Sequence, residues 1–137
     1  MVMFPSDEWC KALSETLNHS PEFAKAGKDG VSTVVWVISP EGSLTKPVQI
    51  FISFDHGQVP EAYVMAEGET REAEHTSTAS FGVWRKIIEG KLNPLAAIVR
   101  GQFKTDGTSM SLKGIRNVKP MQCLFEHMTR IPTEFPA

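Results

Sequence analysis

Residues 73–107 read AEHTSTASFGVWRKIIEGKLNPLAAIVRGQFKTDG, and the order of elements in this stretch decides the class of fold. The run at 72–78 (EAEHTST) is short, partly β-branched and polar. It predicts a strand with solvent on one face or a place near a sheet edge. Ser80 stands before Phe81, Val83, Trp84, Ile87 and Ile88, whose spacing marks one face of a helix. A serine there accepts from the first free helical amides, and Gly90 ends the helix. Asn93 caps and Pro94 opens a second, short helix through Leu95, Ala96, Ala97, Ile98 and Val99. Residues 101–106 (GQFKTD) return to a strand pattern.

Towards the N-terminus, residues 31–39 (VSTVVWVIS), 48–54 (VQIFISF) and 59–66 (VPEAYVMA) predict three more strands. Val48, Ile50, Ile52 and Phe54 alternate onto one face. Pro40-Glu41-Gly42 is a turn, and Asp55-His56-Gly57-Gln58 is a tight hairpin turn in which glycine supplies a positive φ. Before the strands, Ser6 or Asp7 caps a helix whose Trp9, Ala12, Leu13, Thr16 and Leu17 form one stripe. His19-Ser20-Pro21 stops it, and Pro21 opens a short helix over 21–26. Towards the C-terminus, 109–130 predicts helix with a break near 117–120. Beyond the break Met121, Leu124, Phe125 and Met128 share one face. Strands segregated from helices in this way give an α+β fold, an antiparallel sheet covered by helices, in one domain over residues 1–137.

The chain has 137 residues, 41% hydrophobic and 22% charged, with a net charge of −2. That length buries a core without a disulfide or metal staple. Acids and bases are interleaved, so no nucleic-acid partner and no anionic membrane surface is expected. No apolar run is long enough to span a bilayer, so stable membrane insertion is not expected. The first residues lack a basic segment followed by an apolar one, and the last are not of the Ser-Lys-Leu type. A cytoplasmic location is the expectation. Cys10 and Cys123 are compatible with one disulfide or with a reduced pair.

Catalytic chemistry finds little footing. His19 reads as a helix-end residue, His56 as a hairpin-turn residue, His75 as an exposed strand position and His127 as a helix-surface position. None lies near a Gly-x-Ser-x-Gly motif, and neither cysteine sits in a nucleophile motif. There is no Cys-x-x-Cys and no His-Glu-x-x-His, so no metal and no cofactor is expected. Residues 101–107 lack the Gly-Lys-Ser/Thr ending of a phosphate loop. Glu72 and Glu74, with Glu67 and Glu69 nearby, read as a solvated strand face rather than an acid–base pair. No enzyme is expected.

What remains is apolar. Trp84, Ile87, Ile88, Leu95, Ile98, Val99, Phe103, Met110, Leu112, Ile115, Met121, Leu124, Phe125 and Met128 form a long series, with methionines supplying adaptable surface. By periodicity alone, such a series is usually core.

Gly90-Lys91-Leu92-Asn93-Pro94-Leu95-Ala96-Ala97 and Gly101-Gln102-Phe103-Lys104-Thr105-Asp106-Gly107 change that reading. With the acidic strand and the Ser-capped aromatic helix before them, they resemble the core signature of the sterol-carrier-protein type-two family. The resemblance implies a five-stranded, mainly antiparallel sheet covered on one face by helices, with an apolar tunnel between. It implies a non-catalytic carrier of a sterol, fatty acid, acyl-CoA or similar apolar molecule. The ligand-binding residues it points to are Trp84, Ile87, Ile88, Leu95, Ile98, Val99, Phe103, Met110, Leu112, Met121, Leu124, Phe125 and Met128. The competing reading is an accessory or dimerisation module that docks its apolar C-terminal helix on a partner protein or enzyme, or on a second copy as a homodimer.

Overall fold

The computed structural model describes residues 1–107 and 118–136. The elements run β1 (Val2–Met3), α1 (Asp7–Asn18), α2 (Pro21–Ala26), β2 (Val31–Ser39), β3 (Val48–Asp55), β4 (Gln58–Val64) and β5 (His75–Ser80). Then come α3 (Phe81–Ile88), α4 (Pro94–Val99), β6 (Phe103–Gly107), α5 (Val118–Met128) and β7 (Thr133–Glu134). Five strands make one sheet in the order β4-β3-β2-β5-β6. Every neighbouring pair is antiparallel except β2 and β5, which run parallel. The fold is α+β, as the pattern of strands and helices indicates.

Alternation assigns the two faces. Val34, Trp36 and Ile38 of β2, with Ile50 and Ile52 of β3, point to the helices and join the main core. Val35 and Phe51 point to the other face, where they form a small cluster with Met65. Register puts like with like: Trp36 lies opposite Ile50, and Val35 opposite Phe51. The second face has no helix over it among the described elements. Arg71 covers it instead, with its guanidinium 3.7 Å from the Phe51 ring centroid and two hydrogen bonds to the Glu61 carboxylate.

Between sheet and helices the core is a run of rings. Trp36 and Trp84 have centroids 5.0 Å apart, Trp84 and Phe103 5.0 Å, Phe103 and Phe125 5.9 Å, and Phe125 and Trp36 6.1 Å. Small residues on β5, Ser77 and Ala79, are buried beside them. The Trp84 indole N–H donates to the Val37 carbonyl at 3.2 Å, so its polar atom is satisfied.

Polar side chains fix helices to strands. Asp7 accepts from the Val64 amide at 2.7 Å, and Asn18 pairs with both backbone groups of Val59. Together they lay α1 along the edge strand β4. The β3–β4 turn has positive φ at His56 and Gly57, and a Cβ at Gly57 would meet Ala24 backbone at 2.5 Å. Only glycine fits there on both counts.

Several expectations shift. The fourth strand starts at His75, so Glu72 and Glu74 precede it. It lies inside the sheet, between β2 and β6, rather than near an edge. The chain ends pair as a small parallel sheet, Val2 with Thr133 and Met3 with Glu134, which no periodicity announces. The predicted helical residues 109–117 lie outside the described residues, and α5 begins at Val118, where the break was expected. Cys10 and Cys123 are free. Burial, with Asp7 close by, pushes the Cys10 thiol up to about 12.

Candidate ligand-binding site

The helices α3, α4 and α5 do not close on one another. Ser80 Oγ accepts from the Val83 amide and starts α3 directly after β5. Gly90, at φ +76°, turns the chain away after α3, and Asn93 Oδ1 then accepts from the Leu95 amide to start α4. α4 is only six residues long, with Pro94 at its first position. A cleft of about 430 Å³ is left between these elements and α5. That volume is within the roughly 300–1,000 Å³ typical of small-molecule sites. Its apolar wall is Ile87, Leu92, Pro94, Leu95, Met121 and Phe125, and its polar edge is Asn93, Gln122, Glu126 and Thr129. The charged group among these, the Glu126 carboxylate, stands 3.5 Å from Arg130.

The expected site residues divide. Ile87, Leu95, Met121 and Phe125 come together on the cleft. Trp84, Ile88, Phe103, Leu124 and Met128 are buried in the main core instead, and Ile98 packs against it half-buried. Val99 is 86% exposed, on the side of α4 away from the core. Met110 and Leu112 lie outside the described residues. Ile87 and Phe125 serve both places, since each is buried in the core and also reaches the cleft. Leu92, Asn93 and Pro94 were visible only inside the quoted motif. Gln122, Glu126 and Thr129 gave no signal, because a search for apolar spacing passes over polar rim residues.

The side of α5 turned away from the cleft faces α2. His127 is not a surface residue: it is 1% exposed and packs edge-on against Phe23, with centroids 6.4 Å apart. Its Nδ1 is 2.7 Å from the Cys123 carbonyl and its Nε2 is 2.7 Å from Ser20 Oγ. A proton on Nδ1 donates to that carbonyl, leaving Nε2 to accept from the serine hydroxyl. Ser20 Oγ also accepts from the Phe23 amide at 3.1 Å, so one hydroxyl caps α2 and holds it to α5. Burial, then Glu22 and Glu126, raise the Cys123 thiol, and Arg130 opposes them.

His19 sits at the end of α1 and His56 in the hairpin turn, as expected. His75 is half-buried, and its Nδ1 has no hydrogen-bond partner among the described residues. No helix among the described residues is long and apolar enough to cross a membrane.

The model of the SCP-2 sterol transfer family matches residues 7–118, from α1 to the start of α5. The chain belongs to that family. The resemblance read from residues 73–107 therefore extends over most of the protein. Among solved structures, a crystal structure of sterol carrier protein 2 is 21% identical, with a TM-score of 0.82, over 92% of this chain and 97% of that one. The solution structure of a conserved hypothetical protein from Thermus thermophilus is 21% identical, with a TM-score of 0.78, over 95% of this chain and 90% of that one. A stereoselective inverting sec-alkylsulfatase from Pseudomonas sp. is 19% identical, with a TM-score of 0.56, over 88% of this chain but only 16% of that one. At these identities the likenesses establish the fold. No individual curated protein matches the sequence. As a member of the SCP-2 family, the chain is a lipid-binding or lipid-transfer domain, and in it the helix cleft is the space to weigh against that role.

Proposed function

We propose that this protein is a non-catalytic carrier, acting as a single domain, for a sterol, fatty acid, acyl-CoA or similar apolar molecule, and that the ligand enters the cleft between α3, α4 and α5. The carrying observation is the apolar wall of that cleft, built from side chains on three elements and left uncovered among the described residues. A chain of about 14 methylenes contributes roughly 11 kcal/mol gross on burial. Association costs of about 4 kcal/mol or more leave on the order of −7 kcal/mol, which is micromolar affinity. Affinity of that size suits loading and release. Selection in such a site follows length and shape, since one methylene is worth only about 1–3 kcal/mol.

The docking-module reading draws no comparable support. Of the apolar face of α5 that would dock, Leu124, Phe125 and Met128 are buried within this chain, and Met121 is half-buried on the cleft. Catalysis draws none either. The Ser20–His127 hydrogen bond has the first feature of an acyl-transfer pair, but Ser20 already caps α2, and the pair lies on the side of α5 opposite the cleft.

Native mass spectrometry of the purified chain, followed by titration of delipidated protein with an environment-sensitive fatty-acid probe, tests the proposal. A co-purified lipid and a micromolar, saturable titration are expected. A flat titration with the fold intact by circular dichroism, or acyl-CoA hydrolysis lost in Ser20→Ala, would overturn the carrier reading.

A further inference from the structure

We infer that Glu22, Cys123 and His127 form a binding site for a borderline-soft divalent metal ion, of which zinc is the best fit, on the side of α5 turned away from the cleft. Their ligand atoms all lie within 4.8 Å of one another. Cys123 and His127 are one turn apart on α5 and so share a face. Glu22 comes from the first turn of α2, the helix that α5 packs against. Ligands around a tetrahedral zinc ion, at metal distances of about 2.0–2.3 Å, stand roughly 3.3–3.7 Å apart. Cys123 Sγ and His127 Nδ1 are already 3.7 Å apart, so the helix itself presents them at that spacing. The Glu22 carboxylate is exposed.

The chemistry of the set selects the ion. A thiolate, an imidazole and one carboxylate suit zinc and its neighbours, whereas magnesium and calcium favour oxygen ligands throughout. Three protein ligands leave one position for water, and the exposed Glu22 marks the solvent side where it sits.

The imidazole also has its outer partner in place. To take a metal ion on Nδ1, the ring must turn this nitrogen off the Cys123 carbonyl, 2.7 Å away, and toward the Cys123 thiol, and its proton then moves to Nε2. Ser20 Oγ, 2.7 Å away, has lone pairs for that N–H and for the Phe23 amide. A hydrogen bond at the second ring nitrogen is the usual support of a metal-bound histidine.

Arg130 opposes the ion. Its Nη2 is 3.9 Å from Glu22 and 3.5 Å from Glu126, and its Nη1 is 3.4 Å from His127 Nε2. The guanidinium supplies the positive charge that the metal would supply. Its side chain is 48% exposed and has Glu126 to fall back on, so it yields to the ion at a cost in affinity. Removing Arg130 therefore strengthens metal binding, whereas removing a ligand weakens it. A bound ion would tie α2 to α5 and so brace the helix that forms one wall of the cleft.

Titration of the full chain with cobalt(II), followed by absorption, tests the site. One equivalent should give the visible bands of tetrahedral cobalt and a near-ultraviolet thiolate-to-cobalt band, both erased by zinc. Cys123→Ser should remove the thiolate band and weaken binding by about tenfold or more. Glu22→Gln should weaken it several-fold and Arg130→Gln should tighten it several-fold. Both residues are exposed, so neither change threatens the fold. Cys10→Ser should leave the spectrum unchanged. The inference is overturned by the absence of a thiolate band in the parent chain, by a band that persists in Cys123→Ser, or by Arg130→Gln binding cobalt no more tightly.

Discussion

Trp36, Trp84, Phe103 and Phe125 fill the space between sheet and helices ring against ring, while one layer further out α3, α4 and α5 stand apart around a cleft of about 430 Å³. The two regions share Ile87 and Phe125, yet one is closed and the other open. In the inner layer, small residues on β5 lie beside large rings from β2 and α3, so volumes match. In the outer layer a six-residue helix, entered through Gly90 and Pro94, is too short to cover the neighbouring face of α5. Room for a ligand thus arises where helices fail to meet each other, and stability resides where they meet the sheet.

That contrast breaks most visibly at Trp84. Trp84→Ala should cost about 3–5 kcal/mol in urea unfolding, since it empties a ring site and removes the hydrogen bond to the Val37 carbonyl. A cost below about 2 kcal/mol would mean that the inner layer is slack and could itself admit a ligand. Phe125→Ala stands between the regions. Its ring packs on Trp36 and Phe103, so a cost of about 2–4 kcal/mol is expected, nearer to core than to a free lid. Probe release in stopped-flow displacement should be faster as well. Unchanged release would take Phe125 out of the cleft's function.

Leu95→Trp sharpens the comparison from the other side. The larger ring should fill the cleft, change stability by less than about 1.5 kcal/mol, and weaken the fatty-acid probe about tenfold, equivalent to about 1.4 kcal/mol. A large loss of stability would show the cleft to be packed core.

The smallest effect belongs to the far face of the sheet. Arg71 holds the Glu61 carboxyl below its ordinary range by hydrogen bonding, and the Ala66 amide and Tyr63 hydroxyl do the same for Glu69. A carboxyl whose folded value is lowered stabilises fully above its unfolded value of about 4.3, and that contribution is lost as pH falls through the lowered one. Arg71→Ala should therefore shift the urea midpoint slightly at neutral pH, with the difference from the parent closing below about pH 4. A difference that persists in acid would assign the effect to the Phe51 contact instead.

Much of this was written into local patterns. Ser80 and Asn93 cap the helices they precede, Ser6 caps where Ser6 or Asp7 was read, and the alternation in Val48–Asp55 set its two faces correctly. What failed to show depends on partners distant in sequence. The run at 72–78 read as a strand near an edge or with solvent on one face because it is polar, yet Ser77 within β5 is buried beside rings from other elements. Its parallel neighbour β2 is 41 residues earlier at the Val34–His75 pair, beyond any hairpin signal. His127 read as surface because its partners, Ser20 and Phe23, lie on α2 more than a hundred residues away. The cleft's apolar members were legible; the division of the apolar series between cleft and core was not, since both use the same helical spacing.

The claim that lipid enters between the helices, and not between helices and sheet, is tested most directly by methionine methyl resonances. Met121 lies on the cleft, Met128 is fully buried in the main core, and Met65 lies on the far face of the sheet. With ¹³C-methyl methionine and a saturating long-chain fatty acid, the Met121 methyl should move most, Met128 less, and Met65 not at all. Saturable binding that leaves Met121 in place while shifting Met128 or Met65 would contradict the account.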